Sequence, residues 1–237
     1  MQVQLTLIPR KPIILPLNYN YAVQSAIYAK LSEVGASDFW HNSGFGKENP
    51  FKGFVFGRLW GNHCVEDRKI LFYDGITLSV RSPLPSFCEA LSKSVAKNPY
   101  LSLFGEPLFV CDYQLSDRKF TDGSMDVFCD SPVLASYSGP SGKKQYYAPY
   151  DEAFVPHLVR NYERKYEAIY GGKAPTVQIE PCGEHKKVVT SYKGTWLIAY
   201  AGNYHIEGGS TALEFLYHAG LGSKNAQGFG LLELLSQ

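Results

Sequence analysis

From Gln2 to Ile8 apolar and polar residues alternate, with Val3, Leu5 and Leu7 on one side, as in a half-buried strand. The period then lengthens. Tyr21, Ser25, Tyr28 and Leu31 recur at helical spacing with Ala22, Ala26 and Ala29 alongside, which predicts a helix over Tyr19–Val34 closed by Gly35. The stretch Gly35–Pro50, rich in Gly and Asn, suits neither element. Phe51–Trp60 and Ile70–Val80 read as a strand pair. Phe87, Ala90, Leu91 and Val95 share one face of a helix over Ser86–Lys97, and Tyr100–Tyr113 is extended with a bend at Gly105.

The second half repeats this order. Asp126–Tyr137 and Lys144–Ala148 read as extended around a Gly139-Pro140 turn, and Asp151–Tyr170 as a helix stopped by Gly171-Gly172. Thr176–Pro181 and Thr195–His205 read as strands, Ser210 as the cap of a helix through His218, and Gly228–Leu235 as a last strand. Two βαββαβ units in succession predict an α+β protein made of tandem ferredoxin-like (RRM-like) domains. The polar stretch Asp117–Gly123 sets the division, with residues 1–118 in one domain and 119–237 in the other.

Composition narrows the function classes. Hydrophobic residues make up 45% of 237 positions, enough for packed cores. The net charge of +1 argues against a non-specific nucleic-acid binder but leaves room for a local basic groove. Five cysteines (Cys64, Cys88, Cys111, Cys129 and Cys182) form no close pair, so free thiols in a reducing compartment are expected, and neither structural zinc nor any other metal or cofactor. No stretch has the pattern of a signal peptide or a membrane span, and a cytoplasmic protein is expected.

The strongest local signal is His218-Ala-Gly220-Leu-Gly222-Ser-Lys-Asn-Ala-Gln-Gly228-Phe-Gly230. Glycines let a backbone turn with positive φ and approach a ligand closely. Ser223, Lys224, Asn225 and Gln227 add donors that suit phosphates. The Gly-Lys-Ser/Thr ending of a nucleotide-binding loop is missing, and no strand precedes the segment as a dinucleotide fingerprint requires. Against the phosphate reading stands a plainer one, a tight helix-to-strand connection in which the glycines serve geometry alone.

The segment resembles the glycine-rich signature of the CRISPR repeat-processing endoribonucleases of the RAMP superfamily: Gly-hydrophobic-Gly, a few residues with a basic one, then Gly-Phe-Gly and an apolar strand. Gly220, Gly222, Lys224, Gly228, Phe229 and Gly230 fit that pattern. Tyr19-Asn-Tyr21 leading into Gln24-Ser-Ala-Ile-Tyr28 looks like the family's first helix. The resemblance implies a metal-independent endoribonuclease that cleaves CRISPR precursor RNA within repeats, with repeat RNA as partner and a CRISPR effector complex as a further one. It implies RNA contacts along Gly220, Gly222, Ser223, Lys224, Asn225, Gln227 and Gly228.

The family's catalytic positions map onto His41, Tyr28 and Lys52. Such chemistry uses the ribose 2′-hydroxyl as nucleophile, so the site must move two protons and stabilise charge on phosphorus. Histidine titrates near neutrality and suits the first task, and lysine suits the second. Tyr28 suits orientation better than base catalysis, because a phenol ionises near pH 10. Lys47 competes with Lys52 for the charge-stabilising role and otherwise belongs to the RNA-binding set. Two alternatives stand beside the enzyme: a repeat-RNA-binding homologue without catalysis, and a structural subunit of a CRISPR ribonucleoprotein. Lys143, Lys144, Arg160, Lys165, Lys186, Lys187, Lys193 and Lys224 supply basic charge to the second half.

Overall fold

The computed structural model describes residues 1–36, 40, 43–46, 50–138 and 144–235. The first half contains β1 (Gln2–Pro9), β2 (Ile13–Pro16), α1 (Asn20–Ser32), β3 (Val55–Phe56), β4 (Trp60–Glu66), β5 (Lys69–Arg81), α2 (Pro85–Lys97), β6 (Tyr100–Leu103) and β7 (Glu106–Ser116). All its strand pairs are antiparallel, in the order β2-β5-β1-β7-β6, with β3 and β4 also on β5. The alternation in β1 does what its period predicts: Val3, Leu5 and Leu7 are fully buried under α1 and α2.

The second half contains β8 (Gly123–Cys129), the short hairpin β9 (Ser136–Ser138) and β10 (Lys144–Tyr146), α3 (Phe154–Tyr170), β11 (Val177–Tyr192), β12 (Thr195–Gly208), α4 (Ser210–Ala219) and β13 (Leu232–Leu234). Its sheet runs β11-β12-β8-β13. In both halves the chain's first long strand sits between the third and fourth of its βαββαβ unit, the strand order of the ferredoxin-like fold. The tandem α+β architecture expected from the element order is therefore the observed one.

Several elements differ from the sequence reading. The expected strand Phe51–Trp60 is reduced to an isolated bridge at Phe51 and the two-residue β3, and pairing resumes only at Trp60. Gly57 still donates its amide to Ser79 O at 3.0 Å, and its missing Cβ leaves room for the Asp130 carboxylate, since a Cβ there would lie 2.2 Å from Oδ2. Asp126–Tyr137 is likewise two strands, because the chain turns inward at Asp130–Ala135. β11 does not stop at Pro181; a bulge between Cys182 and Lys186 absorbs the break and pairing continues to Tyr192. Ser210 begins α4 without capping it through its side chain, and its amide instead donates to Asp122 Oδ1 at 2.6 Å.

The core face of α1 is also rotated from the expected one. Ala22, Val23, Ala26, Ile27, Lys30 and Leu31 are buried, whereas Tyr21 is exposed and Tyr28 lies at the border. Val23, Ile27 and Leu31 are the bulky aliphatic side chains of this stretch, and they turn the helix toward the sheet.

Two buried polar residues bind the halves together. Arg81, on β5, donates to the Leu232 carbonyl, to Glu233 Oε1 at 2.7 Å and to Gln2 Oε1 at 2.5 Å, and stacks over the Tyr217 ring at 3.9 Å. Asp130, after β8, accepts from the Arg58 amide at 3.0 Å and the Trp60 indole at 2.7 Å. Hydrogen bonds to charged groups contribute about 1.5–3 kcal/mol each, so these two residues hold the second half firmly against β3–β5.

Candidate RNA-processing site

The C-terminal part of α1 faces a cluster of aromatic rings. Tyr28 lies edge-on to Phe54 at 5.6 Å, and its hydroxyl donates to the Trp40 carbonyl oxygen at 3.4 Å. The Trp40 indole packs edge-on against Phe87 and at a tilt against Phe45. Its six-membered ring covers Gly53, where a Cβ would meet Trp40 Cζ3 at 2.6 Å. Gly53 has φ of +75°, so a residue without a side chain is needed there twice over. Lys52, the neighbour of Gly53, is half-buried, and its aliphatic stem passes Gly44. Burial lowers its pKa from the ordinary lysine value and raises that of Tyr28. Trp40 thus touches Tyr28 through its carbonyl and Gly53 through its ring. His41 itself and Lys47 lie outside the described residues.

The glycine-rich loop joins α4 to β13 and includes a 3₁₀ turn at Asn225–Gln227. Gly220, Gly222, Gly228 and Gly230 all have positive φ. Their surroundings are protein: a Cβ at Gly222 would meet the Leu134 carbonyl at 2.7 Å, and one at Gly230 would meet Leu221 O at 1.9 Å. Asn225 is buried, and its Nδ2 donates to Leu221 O at 3.1 Å and Phe229 O at 3.0 Å, closing the loop on itself. Ser223, Lys224 and Gln227 are the partly exposed members of the set. Lys224 adopts φ of +61° and donates to Gln227 Oε1 at 3.3 Å; burial and the neighbouring Lys144 charge lower its pKa. The glycines therefore serve geometry, and the loop's outward chemistry comes from Ser223, Lys224 and Gln227.

The two regions are physically connected, chiefly through Asn20, Gln24 and Tyr192, to which the sequence reading assigned no role. Asn20 Nδ2 donates to Gln227 O at 2.9 Å, and Gln24 Nε2 donates to Ala226 O at 2.6 Å. The Tyr192 hydroxyl, at the tip of β11, donates to Gln24 Oε1, and Lys193 stands over the Tyr21 ring at 4.4 Å. Asn20 and Gln24 lie one helical turn apart, so one polar row of α1 carries the glycine loop while Tyr28, the next position of that row, faces Trp40. The spacing of Asn20, Gln24 and Tyr28 is the signal that could have found them.

Other sequence-level candidates find ordinary partners. His63 Nδ1 lies 2.8 Å from Gly61 O, and His205 sits between Asp126 and Glu207, which raise its pKa. His218 is buried beside the N-terminal amine and Asp117, and desolvation lowers its pKa to about 4. Lys165, expected among the surface basic residues, is instead buried beneath the glycine loop. Among the described residues no three His, Cys, Asp or Glu side chains converge as a metal site would need, and no helix is long and apolar enough to cross a membrane.

Comparison with known proteins agrees with this architecture. Over its whole length the chain superposes on the structure of a Cas6-related protein from Pyrococcus furiosus (TM-score 0.87, 19% identity, 99% of that chain). It superposes equally fully on a RAMP protein described as binding different RNA substrates (TM-score 0.84, 21% identity, 100% of that chain). In sequence it is 26% identical to the CRISPR-associated endoribonuclease-like protein Cas6nc of Pyrococcus horikoshii, across 99% of this chain and 100% of the relative. It is 26% identical to the CRISPR-associated endoribonuclease Cas6 of Pyrococcus furiosus, across 93% and 83% respectively. The family model for the CRISPR associated protein Cas6 C-terminal region matches residues 115–234, just over half of the chain and the part that holds the glycine loop. The chain belongs to the Cas6 family of CRISPR-associated proteins.

Proposed function

We propose that this protein cleaves CRISPR precursor RNA within its repeats, by attack of a ribose 2′-hydroxyl on the adjacent phosphorus and without a metal ion. The observation that carries this reading is the position of Trp40. Its carbonyl accepts from Tyr28 and its ring covers Gly53, so Tyr28 and the neighbour of Lys52 both touch the residue that precedes His41 in the sequence. In this reading His41 moves the proton, between the 2′-hydroxyl and the 5′-oxygen leaving group. Lys52 stabilises the charge that develops on the phosphoryl oxygens, in a setting whose partial burial strengthens the attraction. Tyr28, whose burial keeps the phenol protonated, holds the carbonyl of Trp40, the residue before His41, instead of acting as a base. Residues 1–118 then carry the chemistry. Residues 119–237 hold the RNA through the loop Gly220–Gly228, with Ser223, Lys224 and Gln227 toward the phosphates and Gly220, Gly222, Asn225 and Gly228 shaping it. Lys47 belongs to the same RNA-binding set.

The deciding experiment incubates the protein with repeat RNA in chelator and characterises the ends. Cleavage is expected to leave a 2′,3′-cyclic phosphate upstream and a 5′-hydroxyl downstream. A single deoxyribose at the nucleotide before the cut should abolish cleavage and leave binding intact. Normal cutting of the deoxy substrate would overturn the mechanism. Tight binding without any cutting would favour a repeat-RNA-binding protein, in keeping with a relative named only as endoribonuclease-like.

A further inference from the structure

α3 is amphipathic, and its buried stripe reads Phe154, Leu158, Tyr162, Lys165. Three of these fill the second core. The fourth is a lysine, which almost never enters a core without a partner. Lys165 Nζ is fully buried and donates to Gly220 O at 2.5 Å, Gly222 O at 3.2 Å and Asn225 Oδ1 at 3.2 Å. An ammonium has three N–H donors, and three oxygens of one loop accept them. Among the described residues no carboxylate lies within ion-pairing distance of it. One turn earlier on α3, Asn161 Nδ2 reaches Ser223 Oγ at 3.4 Å. On its other side the ammonium stands 5.4 Å from the centre of the Phe51 ring, next to Lys52.

We propose that Lys165 is a positioning residue for RNA binding: it draws the oxygens of Gly220, Gly222 and Asn225 inward, so that the loop presents Ser223, Lys224 and Gln227 outward as one preformed surface. The proposal rests on the functional reading above for the identity of the ligand, and on geometry alone for the positioning. Asn225 relays the effect, since the side chain that accepts from Lys165 donates to Leu221 and Phe229. Lys165 and Asn225 together thus fix five loop residues from beneath, while Asn20 and Gln24 fix three more from α1. A preformed loop lowers the entropic cost of seating the RNA, so loss of Lys165 should weaken binding more than it slows a bound substrate. Burial lowers the Lys165 pKa to about 7, and the three loop oxygens are the acceptors that this buried group meets.

The test compares the wild type with Lys165→Met, which keeps the length of the side chain, and Lys165→Gln, which keeps an amide donor. Three readouts are needed: hydrogen exchange of the free protein, the Kd for repeat RNA, and the single-turnover cleavage rate at saturating RNA. Expected are faster exchange confined to residues 220–230, a Kd raised about ten-fold or more, and a saturated rate within about three-fold of wild type. If Lys165→Met does not give a cooperative thermal transition, Lys165→Gln decides. Unchanged exchange in the loop, or exchange raised equally in β1 and β8, would overturn the positioning role. A Kd within two-fold of wild type would overturn it too. If the wild type binds no repeat RNA, the functional reading fails, while the exchange measurement still tests how the loop is held.

Discussion

Gly228→Ala should damage the protein far more than glycine-to-alanine changes elsewhere, and the structure allows the cost to be divided. Gly228 has φ of +82°, and an L-residue in that region costs about 1–2 kcal/mol. Gly171, the C-cap of α3, has φ of +74° and nothing within 4 Å of a Cβ placed on it, so Gly171→Ala measures that backbone term alone. At Gly228 a Cβ would lie 2.6 Å from Asn20 Nδ2 and 2.6 Å from Phe56 Cε2. Phe56 is fully buried and cannot swing away, and forced overpacking costs about 1–3 kcal/mol. Asn20 can withdraw only by giving up its bonds to Gln227 O and Gly228 O, about 1 kcal/mol each. The steric part therefore comes to about 3–5 kcal/mol beyond the Gly171→Ala reference. Against a typical stability of about 5–15 kcal/mol, that is a large fraction. Urea unfolding of the two variants beside wild type measures the difference. Because the loop docks on α1 at this point, repeat-RNA affinity should fall for Gly228→Ala and stay unchanged for Gly171→Ala. Equal losses of stability in the two variants would refute the claim that the glycine is required by its contacts.

His41→Ala should slow single-turnover cleavage by about 10²–10⁴-fold, the usual value of a positioned proton-transfer group, with Kd for repeat RNA changed only a few-fold. Survival of the rate would remove His41 from the mechanism. His218, held neutral with a pKa near 4, gives the fold a pH dependence. Between pH 6.5 and 4 the unfolded chain binds the extra proton, so stability is present near neutrality and lost as pH falls through this window. The loss is at most about 3 kcal/mol, and unfolding curves for His218→Asn should lack this component.

How much of this was legible in the sequence depends on the range of the interaction concerned. The strand β1, the helices α2 and α3, and the doubled βαββαβ order follow from the periods of apolar residues, because burial against any core repeats with the geometry of the element itself. The glycine loop was legible as a place of positive φ, and its composition as chemistry suited to phosphate. What faces those glycines was not, because a residue's own sequence context does not tell which distant atom will fill the space where its Cβ would be. Leu134, Asn20 and Phe56 come to that loop from three separate parts of the chain.

The same limit accounts for the two largest departures. The reach of β11 to Tyr192 depends on pairing with β12 across a bulge, an interaction that local propensity at Pro181 does not contain. Lys165 reads locally as one more surface lysine on a charged helix, and only the arrival of the loop over α3 makes it the buried donor to three oxygens. Sequence alone determined the helices and the long strands, the strand–helix order that assembles them, and the residue types available for RNA chemistry. Tertiary structure decided which of those residues meet, because the meeting of α1, α3 and the glycine loop brings together positions as many as 208 residues apart, through side chains whose partners no local pattern specifies.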